Sequence, residues 1–321
     1  MKKFLIIQTA FLGDVILATP VAMTLWANFP DAEIHFLVKK GNESLLENHE
    51  AISKVWIFDK KEGKLKNIFR LGKSFRKEKF DLVLNLHRFA SSGIIASLAK
   101  GKKTYGFKKN PLSFRYTKSF PHEIGNGDHE VDRNLSLLSE IYVPSIIRRP
   151  ALFPSKSDFD KTKDLQSASY FCLAPASVWA TKQLPKEKWV ELVRILQKKG
   201  QVILLGSPDD KNMCQEIISE SGVEAINQAG HLSLLQSAAL MKTATRNYVN
   251  DSGPLHLASS VNAPVTAFFC STIPDFGFGP LSEDSELRET KEKLSCRPCG
   301  LHGFKVCPEG HFKCGEISVE Q

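Results

Sequence analysis

The sequence predicts an α/β protein made of two domains, each with a largely parallel sheet. Short apolar runs alternate with segments of helical periodicity, first along residues 1–140 and again from residue 170 onward. A stretch rich in proline and serine, residues 144–157, separates the two series and is typical of a linker. We therefore expect residues 1–155 and residues 156–321 to form separate α/β domains, with a ligand cleft between them.

The elements of the first domain follow from two periodicities. Runs rich in β-branched and aromatic residues predict strands, and apolar residues spaced three and four apart predict helices. A loop-rich basic passage over residues 108–128 interrupts the series. The expected strands are 4–7, 33–38, 54–58, 82–86 and a short segment at 104–107, and the expected helices are 15–29, 42–48, 64–77, 91–99 and 130–140.

The same two patterns predict the second domain. The linker is followed by a buried strand, and each later strand alternates with a helical segment. The expected strands are 170–174, 202–205, 225–227, 246–249 and 265–269, and the expected helices are 186–199, 209–221, 232–242 and 255–261.

The charge of the chain is uneven. Residues 1–150 hold 25 Lys and Arg against 15 Asp and Glu, and the remainder holds 18 against 20, which together give the net charge of +8. The densest basic region is 60–79, where Lys66, Arg70, Lys73 and Lys77 fall at helical spacing. This pattern suits nucleic acid, a membrane surface or a phosphorylated glycolipid, and it is equally compatible with a solvated helix face.

Several classes of protein are disfavoured. No apolar run approaches the roughly 20 residues of a membrane-spanning helix, and no convincing export signal precedes residue 14, so we expect a cytoplasmic protein. The motifs G-x-x-x-x-G-K-[ST] and G-x-G-x-x-G are both missing from the sequence. A P-loop nucleotidase and an ordinary dinucleotide dehydrogenase are therefore disfavoured.

Asp14 is the first candidate for chemistry. It follows Gly13 at the point where the strand 4–7 is expected to turn into a helix, and ligands of open α/β sheets bind beyond such strand ends. A carboxylate there can act as a general base. Because Asp is among the best helix N-cap residues, a purely capping role is the alternative.

The second domain carries three strand-to-helix turns that suit an anionic ligand. The turn at 250–258 combines a small, flexible backbone with a helix N-terminus, which binds anions through free N–H groups and the helix dipole. Its candidate side chains are Asp251, Ser252, Gly253 and His256, and a simple helix cap is the alternative. The turn at 175–185 offers Ser177, Thr181 and Lys182, and the turn at 206–210 offers Asp210 for ribose hydroxyls.

Five segments in this order resemble the ADP-heptose:lipopolysaccharide heptosyltransferases of glycosyltransferase family 9, and the second-heptose type most closely. The segments are Leu12-Gly-Asp-Val-Ile-Leu-Ala-Thr-Pro20, Trp179-Ala-Thr-Lys-Gln-Leu-Pro185, Leu204-Leu-Gly-Ser-Pro-Asp-Asp210, Asn250-Asp-Ser-Gly-Pro-Leu-His-Leu-Ala258 and Phe276-Gly-Phe-Gly-Pro280. The resemblance implies a GT-B fold, in which two Rossmann-like domains face each other across a cleft. It places the acceptor in the N-terminal domain and the nucleotide-sugar in the C-terminal one.

The resemblance also implies roles for individual residues. Asp14 matches the proposed general base and Lys182 matches a contact to the donor phosphates. The expected reaction is inverting transfer of heptose from ADP-heptose to the lipopolysaccharide inner core, without a catalytic metal, at the inner face of the cytoplasmic membrane and without nucleic acid. The expected donor-binding residues are Ser177, Thr181, Asp210, Asp251, Ser252, Gly253 and His256, and the basic residues expected near the anionic acceptor are Lys60, Lys61, Lys64, His87, Arg88 and Arg115.

A cysteine-rich tail, residues 294–316, ends the second domain. Its four cysteines are Cys296, Cys299, Cys307 and Cys314. A Cys-x-x-Cys followed by two more cysteines is typical of a structural zinc site, although the six residues between the last two are irregular for one. Reduced structural thiols or a disulfide are the alternatives.

Two other functions remain open at this stage. A family 9-like enzyme could transfer a different sugar or use a different nucleotide. A nucleic-acid-associated protein, with the basic face and a zinc-like tail as its contacts, would explain the charge but would leave the strand-to-helix turns without a purpose.

Overall fold

The chain forms two compact α/β units. The computed structural model describes residues 1–61 and 63–320. The first unit comprises Met1–Ile124 and Glu130–Phe153, and the second comprises Gly125–His129 and the chain from Pro154 onward. The chain therefore leaves the first unit over the short piece Gly125–His129 and then returns to it. The sequence did not predict this excursion.

The first unit is built on a six-stranded parallel sheet with the order β3-β2-β1-β4-β5-β6. Its central strands β1 and β4 are buried apart from Lys3, because helices cover both faces of such sheets. The strands are β1 Lys3–Ile7, β2 Glu33–Lys39, β3 Lys54–Phe58, β4 Leu82–Asn85, β5 Lys103–Phe107 and β6 Lys118–Phe120, and the helices are α1 Leu12–Asn28, α2 Lys64–Glu78, α3 Ala90–Ala99 and α4 Glu130–Ser136.

The second unit repeats this architecture with the order β12-β11-β10-β7-β8-β9, again all parallel. Trp189 and Phe268 lie edge to face in its core, with ring centroids 5.5 Å apart. The strands are β7 Tyr170–Ala174, β8 Gln201–Leu204, β9 Ile226–Asn227, β10 Arg246–Asn250, β11 Val265–Phe269 and β12 Ser285–Glu289, and the helices are α5 Lys156–Thr162, α6 Lys186–Gln197, α7 Lys211–Ser221, α8 Leu234–Thr243 and α9 Gly253–Ser260.

Each sheet has a topological switch point, where successive strands change from building outward on one side to building outward on the other. In the first sheet it lies between β1 and β4, and in the second between β7 and β10. The loops that follow these strands diverge and leave a crevice at the carboxyl edge, which is the usual ligand position in doubly wound sheets. The fold therefore singles out the turns after β1, β4, β7 and β10.

Some predicted elements differ from the structure. The expected helix at 42–48 is only a 3-10 turn at Glu43–Leu46, and the one expected at 130–140 ends at Ser136. Three elements were not predicted from the sequence. Strands β6 and β12 are sheet edges with exposed residues, and α5 follows the capping residue Ser155 in the expected linker. Edge strands and short surface helices carry little hydrophobic periodicity, so sequence patterns detect them poorly.

In the described part of the chain, residues 1–61 and 63–320, no helix combines the length and the hydropathy needed to cross a bilayer.

Candidate active site

Asp14 lies in the first turn of α1, directly beyond the carboxyl end of β1. The helix begins at Leu12 with Phe11 as its N-cap, so Asp14 is the third helical residue, and its side chain caps the helix from that position. Its carboxylate reaches back and accepts a hydrogen bond from the Phe11 backbone N–H at 3.1 Å. This bond holds the side chain at the switch point of the first sheet.

The pKa of Asp14 is raised to about 6. Burial is the main cause, and the negative charge of Glu130 adds to it. Hydrogen bonds from the backbone N–H groups of Phe11 and Asp14, together with the positive charge of Arg88, oppose the rise. A carboxylate with a pKa just below neutral is mostly ionised at pH 7 and still basic enough to accept a proton in a reaction.

Glu130, the neighbour that raises this pKa, was not singled out from the sequence. It is buried at the start of α4, where its carboxylate lies 3.1 Å from His122 Nε2 and accepts a 2.8 Å hydrogen bond from Arg133 Nε. Burial alone would raise the pKa of Glu130, but His122 and Arg133 outweigh it and lower that pKa. Glu130 is therefore held ionised, and an acidic residue at the helix start that follows the loop-rich passage was the available signal.

His87 faces the same switch point from the turn after β4. Its Nδ1 lies 2.8 Å from the Thr9 hydroxyl, which belongs to the turn between β1 and α1. Burial, followed by the positive charges of Lys60, Arg88 and Lys39, lowers the pKa of His87 to about 4. His87 is thus neutral at pH 7 and contributes hydrogen bonding rather than positive charge.

The other predicted acceptor residues are distributed along the carboxyl edge of the first sheet. Lys60 follows β3 and donates to the Thr9 carbonyl at 3.3 Å, and its pKa is lowered by burial and then by Lys39 and Lys64. Lys61 and Lys64 follow the same strand, and Arg88 follows β4. Arg115 is different, because it lies in the connection that leads into the amino end of β6.

The second switch point is occupied by an ion pair between Lys182 and Asp251. The Lys182 Nζ atom lies 2.6 Å from Asp251 Oδ2, and both side chains are largely buried. Thr272 also donates its hydroxyl to Asp251 Oδ2 at 2.6 Å. Asp251 Oδ2 therefore positions Lys182, whose ammonium keeps further N–H donors for an anion. The predicted contact of Asp251 with a sugar hydroxyl stays a prediction.

The N-terminus of α9 lies beside this pair. Ser252 is the N-cap and Gly253 is the first helical residue, so the Gly253 N–H has no acceptor within the helix. Pro254 has no N–H, and the Leu255 N–H donates to the Ser252 carbonyl at 3.1 Å. His256 is buried in the same turn and its Nδ1 has no hydrogen-bond partner among the described residues. Burial lowers the pKa of His256 to about 4, with His129 and Lys182 adding to this and Asp251 opposing it. The N-terminus of α9 and the neutral His256 ring therefore provide uncharged hydrogen-bonding groups next to the fixed Lys182 ammonium.

Three other predicted donor residues make hydrogen bonds within the protein. Ser177 follows β7, and its carbonyl accepts from Gln183 Nε2 at 2.7 Å. Asp210 follows β8, but its Oδ2 accepts from both the N–H and the hydroxyl of Ser207 at 2.7 Å. Thr181 is buried, and its hydroxyl accepts from the Phe304 N–H at 2.8 Å, so it anchors the cysteine-rich tail rather than facing the α9 N-terminus.

The chain is similar to known proteins over most of its length. The family model described as glycosyltransferase family 9 (heptosyltransferase) matches residues 68–300, which is more than half of the chain. This chain belongs to glycosyltransferase family 9. The predicted family is confirmed, and with it the prediction that the protein is a glycosyltransferase.

The curated relatives of this family 9 chain include three lipopolysaccharide heptosyltransferases. Lipopolysaccharide heptosyltransferase 3 of Escherichia coli is 28% identical, with 82% of each chain covered. Lipopolysaccharide heptosyltransferase 1 of Campylobacter coli is 25% identical, with 91% of each chain covered. Lipopolysaccharide heptosyltransferase 2 of Salmonella typhimurium is 25% identical, covering 85% of this chain and 84% of the relative.

Solved structures confirm the predicted GT-B fold of this family 9 chain. E. coli ADP-heptose lps heptosyltransferase II superimposes with a TM-score of 0.79 at 21% identity, covering 93% of this chain and 96% of that one. The E. coli heptosyltransferase WaaC with ADP gives a TM-score of 0.72 at 17% identity, covering 89% of this chain and 92% of that one.

The cysteine-rich tail of this family 9 chain packs against the Lys182 site. The Phe304 N–H donates a hydrogen bond to the Thr181 hydroxyl, and the Cys299 N–H donates to the Ser271 carbonyl at 2.8 Å. Gly303 has a φ of +73°, and a Cβ there would lie 2.8 Å from the Thr181 hydroxyl and 3.2 Å from Lys182 Cγ. Only glycine fits this position without strain, so the tail supports the segment that carries Lys182.

The four tail cysteines are neighbours but do not form a closed metal site. Burial raises the pKa of Cys314 to about 11, and its three partners, Cys299, Cys307 and Cys296, add to the rise. In residues 1–61 and 63–320 the only three metal-type ligands within 4.8 Å of one another are Glu33, His35 and Glu78. The two carboxylates of that group pair with lysines, which lowers the need for a metal. Zinc at the tail stays a prediction.

Proposed function

We propose that this chain is an inverting heptosyltransferase that moves heptose from ADP-heptose to the lipopolysaccharide inner core, at the inner face of the cytoplasmic membrane. The observation that carries the proposal is the pair of switch points. One supplies a carboxylate whose pKa is about 6, and the other supplies a fixed lysine beside a helix N-terminus. Inverting glycosyl transfer needs these two functions, a base for the acceptor hydroxyl and positive potential for the leaving group.

Asp14 is the base in this proposal. Its ionised carboxylate accepts the proton of the acceptor hydroxyl as that oxygen attacks the anomeric carbon of heptose. The bond between the anomeric carbon and the diphosphate oxygen breaks at the same time, so attack from the opposite face inverts the configuration. Protonated Asp14 then returns the proton to solvent.

Lys182 and the α9 N-terminus stabilise the departing ADP. The Lys182 ammonium neutralises charge that develops on the diphosphate, and the Gly253 N–H at the positive end of the helix dipole donates a hydrogen bond to one of its oxygens. Asp251 and Thr272 hold the lysine in place before the donor arrives, which avoids reorganisation during the reaction. These groups can serve the leaving diphosphate without a catalytic metal.

The acceptor is proposed to be an anionic glycolipid because the basic residues concentrate in the first unit. Lys60, Lys61 and Arg88 follow strands that end at the same sheet edge as β1, which places positive charge on the side of Asp14. Phosphate groups of a lipopolysaccharide core would be attracted there.

Product analysis tests this proposal. The purified chain is incubated with truncated lipopolysaccharide core acceptors and with ADP-heptose, or with UDP- and GDP-sugars, and the products are examined by mass spectrometry and NMR. We expect one added heptose with inverted anomeric configuration, from ADP-heptose only. Transfer from another nucleotide-sugar would instead support the alternative of a different donor, and a retained configuration would contradict the mechanism.

A further inference from the structure

Helix α2 of the first unit carries a surface that the transfer reaction does not use. Its inner face packs into the core through Ile68, Leu71 and Phe75. On its outer side Leu65 is 67% exposed and Phe69 is 63% exposed. These two side chains are four residues apart, so they are neighbours on the helix surface and together form an exposed apolar ridge.

Positive charge surrounds this ridge. The helix has six basic residues and one acidic residue, Glu78, which is paired with Lys3 and Lys54. Arg76 donates to the Leu98 carbonyl at 3.1 Å. The other side chains project outward, and Lys66, Arg70, Lys73 and Lys77 make no ion pair with any residue in 1–61 or 63–320. An outer face of this kind is left without internal compensation for its charge.

Isolated exposed apolar residues are ordinary, and a basic helix face alone is usually just solvated. An exposed apolar pair within a basic helix face is less common and points to a partner that is both apolar and anionic. A bilayer with anionic headgroups offers both complements at once, because Leu and Phe side chains enter the acyl boundary while flexible lysine and arginine side chains reach the headgroups. Nucleic acid would use the charge but would leave Leu65 and Phe69 exposed to water.

We propose that the outer face of α2, formed by Leu65, Phe69, Lys66, Arg70, Lys73 and Lys77, docks the protein onto an anionic lipid bilayer. The proposal deepens the proposed function, since a docked enzyme meets a lipid-anchored acceptor by diffusion in two dimensions. The apolar pair supplies insertion and the four cations supply salt-sensitive attraction. None of these six side chains is assigned a role in the proposed transfer, so binding to lipid and transfer of sugar can be measured separately.

Vesicle co-sedimentation of the full chain tests the docking face. We expect the protein to bind vesicles of phosphatidylcholine mixed with phosphatidylglycerol, to bind phosphatidylcholine alone weakly, and to be released by added salt. The double variant Leu65→Gln, Phe69→Gln keeps helix propensity and should bind about tenfold more weakly or worse. The double variant Lys66→Gln, Lys73→Gln should lose about fivefold for each charge removed.

Matched controls keep this test specific. The variant Tyr142→Gln, Ile146→Gln removes two exposed apolar side chains of the same unit, and Lys163→Gln, Lys198→Gln removes two exposed lysines of the second unit. Both should bind vesicles like the unaltered protein. Far-UV circular dichroism and thermal melts verify that every variant is folded.

Three outcomes would overturn the docking face. One is unaltered vesicle binding by Leu65→Gln, Phe69→Gln, and the second is an equal loss in the control variants. The third is tight, salt-sensitive binding of duplex DNA that the apolar variant retains, with no binding to anionic vesicles, which would assign the charge to nucleic acid.

Turnover on a soluble, deacylated core acceptor separates this proposal from the proposed function. The Leu65→Gln, Phe69→Gln variant should keep full turnover on that acceptor while losing vesicle binding. A protein that binds vesicles through α2 but transfers no heptose would sink the proposed function alone. A protein that transfers heptose but does not bind vesicles would sink the docking face alone.

Discussion

The two switch points of this protein have the same topology and opposite chemistry. At the first, no ion pair joins Asp14 to a cation within residues 1–61 and 63–320, and burial together with Glu130 raises its pKa to about 6. At the second, Asp251 contacts Lys182 and Thr272 directly and is fixed as part of an ion pair. A doubly wound sheet thus provides only the location, and the neighbours decide whether a carboxylate there acts as a base or as a support.

Asp14→Asn should have the largest effect of any single change at either switch point. The amide keeps the shape but cannot accept a proton, so we expect transfer to fall by about 10³-fold at neutral pH. Binding of ADP should be nearly unchanged, because the residues proposed to bind the donor belong to the other switch point. Calorimetric ADP titration and rate measurement on the same folded sample check both halves, and normal turnover would remove Asp14 from the mechanism.

Lys182→Met should affect stability as well as activity, which distinguishes it from Asp14→Asn. It leaves Asp251 buried without its cation, which should lower the free energy of unfolding by about 3–5 kcal/mol. It also removes the positive charge proposed to stabilise the leaving diphosphate, so we expect the rate to fall by about 10²-fold or more. In the double variant Lys182→Met, Asp251→Asn we expect stability to recover while activity does not. Chemical denaturation reports the first quantity, and equal stability of the single and double variants would contradict the pairing.

Gly303→Ala should weaken the second switch point only. The methyl group would meet the Thr181 hydroxyl and the Lys182 side chain, and the positive φ adds strain of about 1–2 kcal/mol. Gly300→Ala is the matched control, because its φ is also positive but a Cβ there contacts nothing. We expect ADP affinity to fall several-fold for Gly303→Ala and to stay unchanged for Gly300→Ala, and equal affinities would show that the tail does not support Lys182.

Glu130→Gln should alter the first switch point without abolishing it. Removal of the negative charge lowers the pKa of Asp14, so the fall in activity on acidification should move to lower pH. Glu130→Asp keeps the charge and serves as the control for folding and packing. A pH-rate profile that stays in place in Glu130→Gln, with reduced activity at all pH values, would indicate a purely structural role.

Removal of metal should have the smallest effect on the two switch points. If zinc binds the cysteine-rich tail, metal analysis will find about one ion per chain, and a chelator will lower the melting temperature and loosen ADP binding without changing the pH dependence that Asp14 sets. Cys296→Ser should lower the metal content in the same way. A metal-free protein of unchanged stability would leave reduced structural thiols as the explanation.

The sequence predicted the parts of the site that are local. Asp14 and the turn at 250–258 each follow a buried strand within a few residues, so strand periodicity and turn composition are enough to place them. The sequence did not predict that Asp251 binds Lys182, which is 69 positions away, because that contact depends on β7 and β10 being neighbours. Strand order is a property of the whole sheet.

The contacts of three other residues at the site were unpredicted for the same physical reason. Thr181 shares its turn with Lys182, but its hydroxyl is claimed by Phe304, 123 positions later, in a tail that has no periodicity to predict its path. Thr272 and Glu130 were overlooked because their importance lies in which charged group they approach. Residue type and spacing do not encode such partners.

The pH dependence of heptose transfer in the unaltered protein and in Asp14→Asn tests the central claim most directly. A base with a pKa of about 6 is ionised above that pH and protonated below it, so kcat/KM should fall tenfold per pH unit as the pH drops below about 6. The residual activity of Asp14→Asn should lack this fall. An identical fall in both proteins, or none in the unaltered protein down to pH of about 4, would contradict the assignment of Asp14 as the base.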